Sequence, residues 1–153
     1  MSMQQVAQDA LDADIVIVEP TLAVDALAEK LEAARVPGAV VVAEGRVVGV
    51  VTEMDLVYRN KRVHLPTMIA IFDALIPFDP GGRTKAELEK ATGATVGQIM
   101  SEEVVSAEPS TKLADVAAWM VDQNLSLVPV LERGRLVGVV SRRSMMRAAF
   151  EHR

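Results

Sequence analysis

The chain repeats itself. Glu44–Gly45–Arg46–Val47–Val48–Gly49–Val50–Val51–Thr52 returns 89 positions later as Arg133–Gly134–Arg135–Leu136–Val137–Gly138–Val139–Val140–Ser141. The same offset lays Glu19–Pro20–Thr21 onto Glu108–Pro109–Ser110 without a gap. Between residues 15–55 and 104–144, 11 of 41 positions are identical, and most others exchange similar types. One Val-rich match alone can arise by chance, but two separate segments in one ungapped register mark an internal duplication.

Each copy reads as the same series of elements. A short apolar strand (Ile15–Val18; Val104–Ala107) runs into Glu-Pro-Thr or Glu-Pro-Ser, a turn with a candidate helix N-cap. A helical pattern follows: Val24, Leu27, Ala28 and Leu31 in the first copy, Leu113, Val116, Ala117 and Met120 in the second. Next come an apolar strand (Ala39–Val42; Val128–Leu131), a Gly-containing hairpin turn and a second strand (Val47–Val51; Leu136–Val140). Thr52 or Ser141 then caps a new helix. A unit of this size cannot bury both faces of its sheet alone, so the two copies are expected to pack face to face as one pseudo-symmetric α/β body.

The copies divide the chain into a first repeat at 1–58, a helical insert at 59–95 and a second repeat at 96–153. Within the insert, Pro66 suits the first turn of one helix, Pro77–Gly82 reads as a loop, and Thr84–Thr92 reads as a helix ended by Gly93.

Composition excludes several function classes. Cysteine is absent, so disulfides, iron–sulfur clusters and thiolate zinc sites are ruled out. Two histidines, His64 and His152, leave no basis for a histidine-rich metal site. Aromatic residues make up 3%, too few for a base-stacking platform, and the net charge of -5 opposes binding to nucleic acid or anionic lipid. Leu65–Phe78 is the nearest approach to a membrane span and is interrupted by Pro66, Asp73 and Pro77. Met1–Asp14 has no basic region followed by an apolar run, so a cytoplasmic protein without a signal peptide is expected.

The ending Gly49–Val50–Val51–Thr52–Glu53–Met54–Asp55 resembles that of the cystathionine β-synthase (CBS) domain. So do the entry Val96–Gly97–Gln98–Ile99–Met100 and the Val128–Pro129–Val130 strand. Repetition after a complete strand–helix–strand–strand unit makes the likeness specific, and the tandem arrangement resembles a Bateman module covering Ile15–Tyr58 and Val96–Phe150. The resemblance implies two CBS repeats and, between them, a cleft for an adenosine-containing ligand such as AMP, ADP, ATP or S-adenosylmethionine. It also implies a homodimer and a client protein, with no cofactor and no catalysis.

The residues themselves suit such a site. Thr52 stands at a strand-to-helix junction, where free N–H groups favour an anion. Asp55 can accept from two vicinal ribose hydroxyls. The same Thr-x-x-Asp spacing also reads as a capping box. In the second copy Ser141 keeps the hydroxyl but Ser144 replaces the aspartate, so the second site is expected to be weaker or empty. Arg142 and Arg143 open a helix, where cations oppose the dipole. They serve either phosphates bound by the first copy or solvent. For adenine, the family positions correspond to Ile15–Ile17, Pro37, Gly38, Ala39 and Val40, where Gly38 and Ala39 leave room for a flat base. Arg59, Lys61 and Arg62 read as helix C-terminal cations. Trp119 reads as core or interface anchor, and Met100, Met120, Met145 and Met146 read as core filling.

No Ser/His/Asp arrangement, glycine-rich phosphate loop or paired-carboxylate site stands out, so an enzyme is not expected. The alternative is an interaction protein with vestigial clefts.

Overall fold

A computed structural model describes residues 4–57 and 94–150. The insert's expected helices, with His64, Arg59, Lys61 and Arg62, lie outside the described residues, as does His152.

The 89-residue offset holds in the backbone, element by element. In the first repeat β1 (Ile17–Val18) leads through α1 (Val24–Ala34) to β2 (Gly38–Ala43), β3 (Arg46–Thr52) and helical residues 53–57. In the second, after a short helix α2 (Val96–Ile99), come α3 (Leu113–Asp122), β4 (Leu127–Glu132), β5 (Arg135–Ser141) and α4 (Arg142–Phe150). β2 pairs antiparallel with β3, and β4 with β5; each pair carries a register shift, at Val41/Val42 and at Val130/Leu131. β1 runs parallel to β2 with Val18 opposite Val41, and Ala107 bridges Val130 in the same sense and register.

The turns repeat as closely. Glu44 and Gly45 have φ of 52° and 79°, Arg133 and Gly134 54° and 81°, the two successive positive values of a type I′ hairpin turn. Arg35 and Asn124 both end their helices left-handed, at 56° and 54°. The sequence is therefore two statements of one backbone.

The helices bury the expected stripes with one difference. Leu27 and Leu31 of α1 and Leu113, Val116 and Met120 of α3 are buried, but Ala28 faces solvent, where a methyl group costs little. Neither helix is capped by Thr21 or Ser110: the N-cap residues are Ala23 and Lys112, and neither makes a side-chain cap.

Backbone of the segments leading into the two repeats takes that role. Val24 N–H donates to the Ala94 carbonyl and Leu113 N–H to the Gln5 carbonyl, at 3.0 and 2.9 Å. A 3-10 turn at Ala7–Ala10 lies on the second repeat, and its counterpart α2 lies on the first. Ala7 N–H bonds Thr111 O, and Val96 N–H bonds Leu22 O, both at 2.8 Å. Ala7 and Ala10 are buried in the second repeat's core and Val96 in the first's. Each repeat thus lends its leading turn to its partner, and burial of a side chain such as Val96 contributes about 1.5–3 kcal/mol to holding the two together.

The two sheets meet through Val40, Leu127 and Val139, with Val42, Val47, Val50 and Leu136 around them. Trp119 packs partly buried against the second repeat's core. Met120 and Met145 are buried and Met100 is half-buried, but Met146 is 64% exposed and does not fill the core. Among the described residues no helix is long and apolar enough to cross a membrane.

Candidate functional site

The pseudo-twofold packing creates two equivalent clefts, each beginning at the end of one repeat's second hairpin strand. They differ sharply in size. The first, beside Thr52, encloses about 440 Å³; the second, beside Ser141, about 10 Å³, room for little more than a water molecule.

In the first cleft, β3 delivers Thr52 and the following helical turn delivers Asp55, both half-buried. Thr52 N–H donates to Asp55 Oδ2 at 2.9 Å, and the Thr52 hydroxyl lies 3.3 Å from the same oxygen. Asp55 is therefore a helix-capping group as well as a cleft-lining one. Both bonds fall on Oδ2, so among the described residues Oδ1 carries no hydrogen bond, and Asp55 lines the cleft.

Most of the rest of the lining comes from the second repeat. Val104, Val105, Leu125 and Leu127 make it apolar, and Ser101, Glu103, Asn124, Ser126 and Arg142 add polar groups. Arg142 is fixed by bonds from Nε to the Leu125 carbonyl at 3.1 Å and from Nη2 to Asn124 Oδ1 at 2.9 Å. A guanidinium has five N–H donors, so this anchored cation retains donors for an anion. A carboxylate that accepts from hydroxyls, apolar side chains and a positioned cation together suit a ligand with a diol, an apolar base and a negative end. The volume lies within the usual range for small-molecule sites, about 300–1,000 Å³.

The second cleft is filled from within. Asp12, the counterpart of Ser101, is buried there; its carboxylate accepts bonds from the Ser141 hydroxyl, from Asp14 N–H at 2.9 Å and from Arg143 Nη2 at 3.0 and 3.3 Å. Arg143 also reaches Asp14 at 3.1 Å. Burial pushes the Asp12 carboxyl up, but the bonds from Ser141, Asp14 N–H and Arg143, with the guanidinium charge, outweigh it and hold the group below the usual carboxylate range. Ser144 joins Ser141 in a reciprocal cap: Ser141 N–H to Ser144 Oγ at 2.8 Å, and Ser144 N–H to Ser141 Oγ at 3.0 Å.

The residues singled out in the sequence therefore part company. Thr52, Asp55 and Arg142 share the first cleft; Ser141 and Arg143 belong to the second. Gly38 and Val40 also line the second cleft, and Ala39 is buried in the first repeat's core. A base slot over Gly38 and Ala39 beside Asp55 is not formed. A Cβ on Gly38 would stand 2.6 Å from the Val51 carbonyl oxygen and 2.8 Å from Leu127 Cδ2, so the space that glycine leaves is already used in packing the repeats. Ile17 sits at the far end, exposed near the two hairpin turns. Sequence reasoning missed Asn124, Leu125, Ser126 and Asp12. The offset that maps Arg35, Val36 and Pro37 onto Asn124, Leu125 and Ser126 carried the signal for the first three. No group of three or more acidic, histidine or cysteine side chains able to hold a metal occurs among the described residues.

Comparison with known proteins agrees with this architecture. A chloroplastic CBS domain-containing protein of Arabidopsis thaliana, CBSX1, is 27% identical over 148 residues, 90% of this chain; the chain spans 60% of that relative's length. The crystal structure of the CBS-domain protein ATU1752 from Agrobacterium tumefaciens superposes with a TM-score of 0.71 at 26% identity, covering 98% of this chain and 97% of that one. That of CBSX2 in complex with AMP gives 0.71 at 23% identity, covering 95% and 96%. The CBS domain model matches residues 7–61 and again 96–151, the two halves whose backbones repeat. With both repeats matched and the paired clefts lying between them, the chain belongs to the CBS domain family as a tandem CBS pair.

Proposed function

We propose that this CBS pair is a non-catalytic regulatory module that binds one adenosine-containing ligand per chain and signals to a partner protein by a change in packing. The ligand is AMP, ADP, ATP or S-adenosylmethionine, and it occupies the first cleft. The observation that supports the reading is that Thr52, Asp55 and the hydrogen-bonded Arg142 line one open cleft of about 440 Å³. Asp55 Oδ1 receives the ribose hydroxyls, Thr52 and Arg142 take the phosphate or carboxylate end, and Val104, Val105 and Leu125 flank the base. CBSX2, of the same fold, was solved with AMP bound, which supports the ligand class.

A screen of melting temperature against AMP, ADP, ATP and S-adenosylmethionine tests this, since a ligand that binds only the native state raises apparent stability. At one hundred times its Kd such a ligand contributes about 2.7 kcal/mol. A shift with at least one of them is expected. No shift with any would favour the second reading, an interaction protein with vestigial clefts, which the closed second cleft already resembles.

The module also self-associates in this reading. Val121, Met146 and Phe150, exposed by 79%, 64% and 55%, border an apolar groove between α3 and α4 with Ala117, Met120 and Met145. An exposed apolar groove of this kind suits contact with a second copy of the chain.

A further inference from the structure

The second cleft is built from the same backbone as the first, and the exchanges between them include Asp12 for Ser101, Arg143 for Met54 and Ser144 for Asp55. The Asp12 side chain is 2% exposed. It is held by a hydroxyl, a backbone N–H and a guanidinium, the donor set that an oxyanion from outside would use. Ser144 does not obstruct the cleft, because its hydroxyl and N–H are engaged with Ser141 in the cap. Asp14, the other carboxylate on Arg143, makes no bond to Ser141 and lies at the surface, 60% exposed.

We propose that Asp12 is an internal ligand: its carboxylate occupies a latent oxyanion site formed by Ser141 and Arg143, and it is this occupancy that keeps the second cleft shut. The class of ligand the vacated site takes is a phosphate monoester or inorganic phosphate. A tetrahedral oxyanion matches a hydroxyl donor set beside a guanidinium and replaces the lost negative charge. The chain binds one ligand in place of two because the leading segment of the first repeat carries its own anion into the second cleft.

Asp12→Ser, which copies Ser101, tests the inference with inorganic phosphate as the probe. Calorimetric titration should give one more phosphate per chain for Asp12→Ser than for the wild type, and the extra equivalent should vanish in Asp12→Ser/Arg143→Met. Equal uptake by the folded Asp12→Ser variant and the wild type overturns the proposal, as does an extra equivalent that survives the Arg143 change. Should Asp12→Ser fold poorly, Asp12→Asn keeps the side-chain volume, and phosphate should raise its melting temperature more than that of the wild type; equal shifts overturn the proposal. Wild-type protein that takes up no AMP would count against the adenosine reading of the first cleft alone, since phosphate uptake is scored between variants.

Discussion

Asp12 and Ser101 project from the same backbone in the two clefts. Asp12 donates its N–H to the Val139 carbonyl at 2.7 Å, and Ser101 donates its own to the Val50 carbonyl at 2.9 Å, at the end of equivalent leading segments. One side chain is a buried carboxylate bound to Ser141 and Arg143; the other is a small hydroxyl on the border of an open cleft. A twofold backbone thus presents unlike chemistry at its two sites.

The Asp12 ion pair should give the wild type an advantage that depends on pH. With its folded pKa lowered, Asp12 adds stability that is present above the ordinary carboxyl value of 3.8 and is lost as pH falls through the lower folded value. The groups facing it are Ser141, Arg143 and Asp14. Denaturant midpoints of wild type and Asp12→Ser should differ at neutral pH, and the gap should narrow as pH falls below 3.8. A gap that widened in acid would contradict the pairing.

Gly49 and Gly138 are equivalent, yet alanine should cost more at Gly49. A Cβ there would meet Met100 Sδ at 2.5 Å and the Ser101 carbonyl oxygen at 2.9 Å, and the backbone cannot yield easily. At Gly138 it would meet only the Leu11 side chain, at 3.1 Å and beyond. Gly49→Ala should destabilise by about 1–3 kcal/mol, with Gly138→Ala clearly milder. Chemical denaturation of the two variants compares them directly.

Removing residues 1–12 should loosen the far repeat rather than the near one. The deletion takes the Gln5 carbonyl from the start of α3 and uncovers the core lined by Ala7 and Ala10. Amide exchange should therefore accelerate in α3 and α4 while β2 and β3 keep their protection. Acceleration confined to β1–β3 would contradict the exchange of leading turns.

The groove between α3 and α4 should be an interface. Light scattering at tens of micromolar is expected to give twice the chain mass for the wild type, and the chain mass for Met146→Glu, which places a charge on the exposed apolar border. A monomeric wild type would contradict self-association.

Much of this was legible in the sequence for a physical reason. Strand, turn and helix-start positions from Ile15 onward are constrained twice, once in each copy, so Gly45/Gly134 and Val50/Val139 survive as matches. The leading turns were not legible. Residues 5–14 and 94–103 share no identity: what they have in common is backbone bonds and small or apolar groups such as Ala7/Val96 and Leu11/Met100, while polar side chains such as Asp12 differ between them. The roles of Asp12 and of Gly38 stayed hidden for a related reason. Both depend on which side chain from the other repeat fills the space, and a local pattern carries no record of that.

Calorimetric titration of AMP into the wild type, Asp55→Ala and Ser144→Ala tests the central claim most directly. The wild type should bind one AMP per chain. Asp55→Ala should lose at least about tenfold in affinity, as expected when a charged acceptor worth about 1.5–3 kcal/mol is removed. It should also lose about 1 kcal/mol of stability with its cap. Ser144→Ala should show a similar stability loss but unchanged AMP affinity. Two AMP molecules per wild-type chain, or equal effects of the two substitutions on affinity, would contradict a single ligand held in the cleft of Thr52, Asp55 and Arg142.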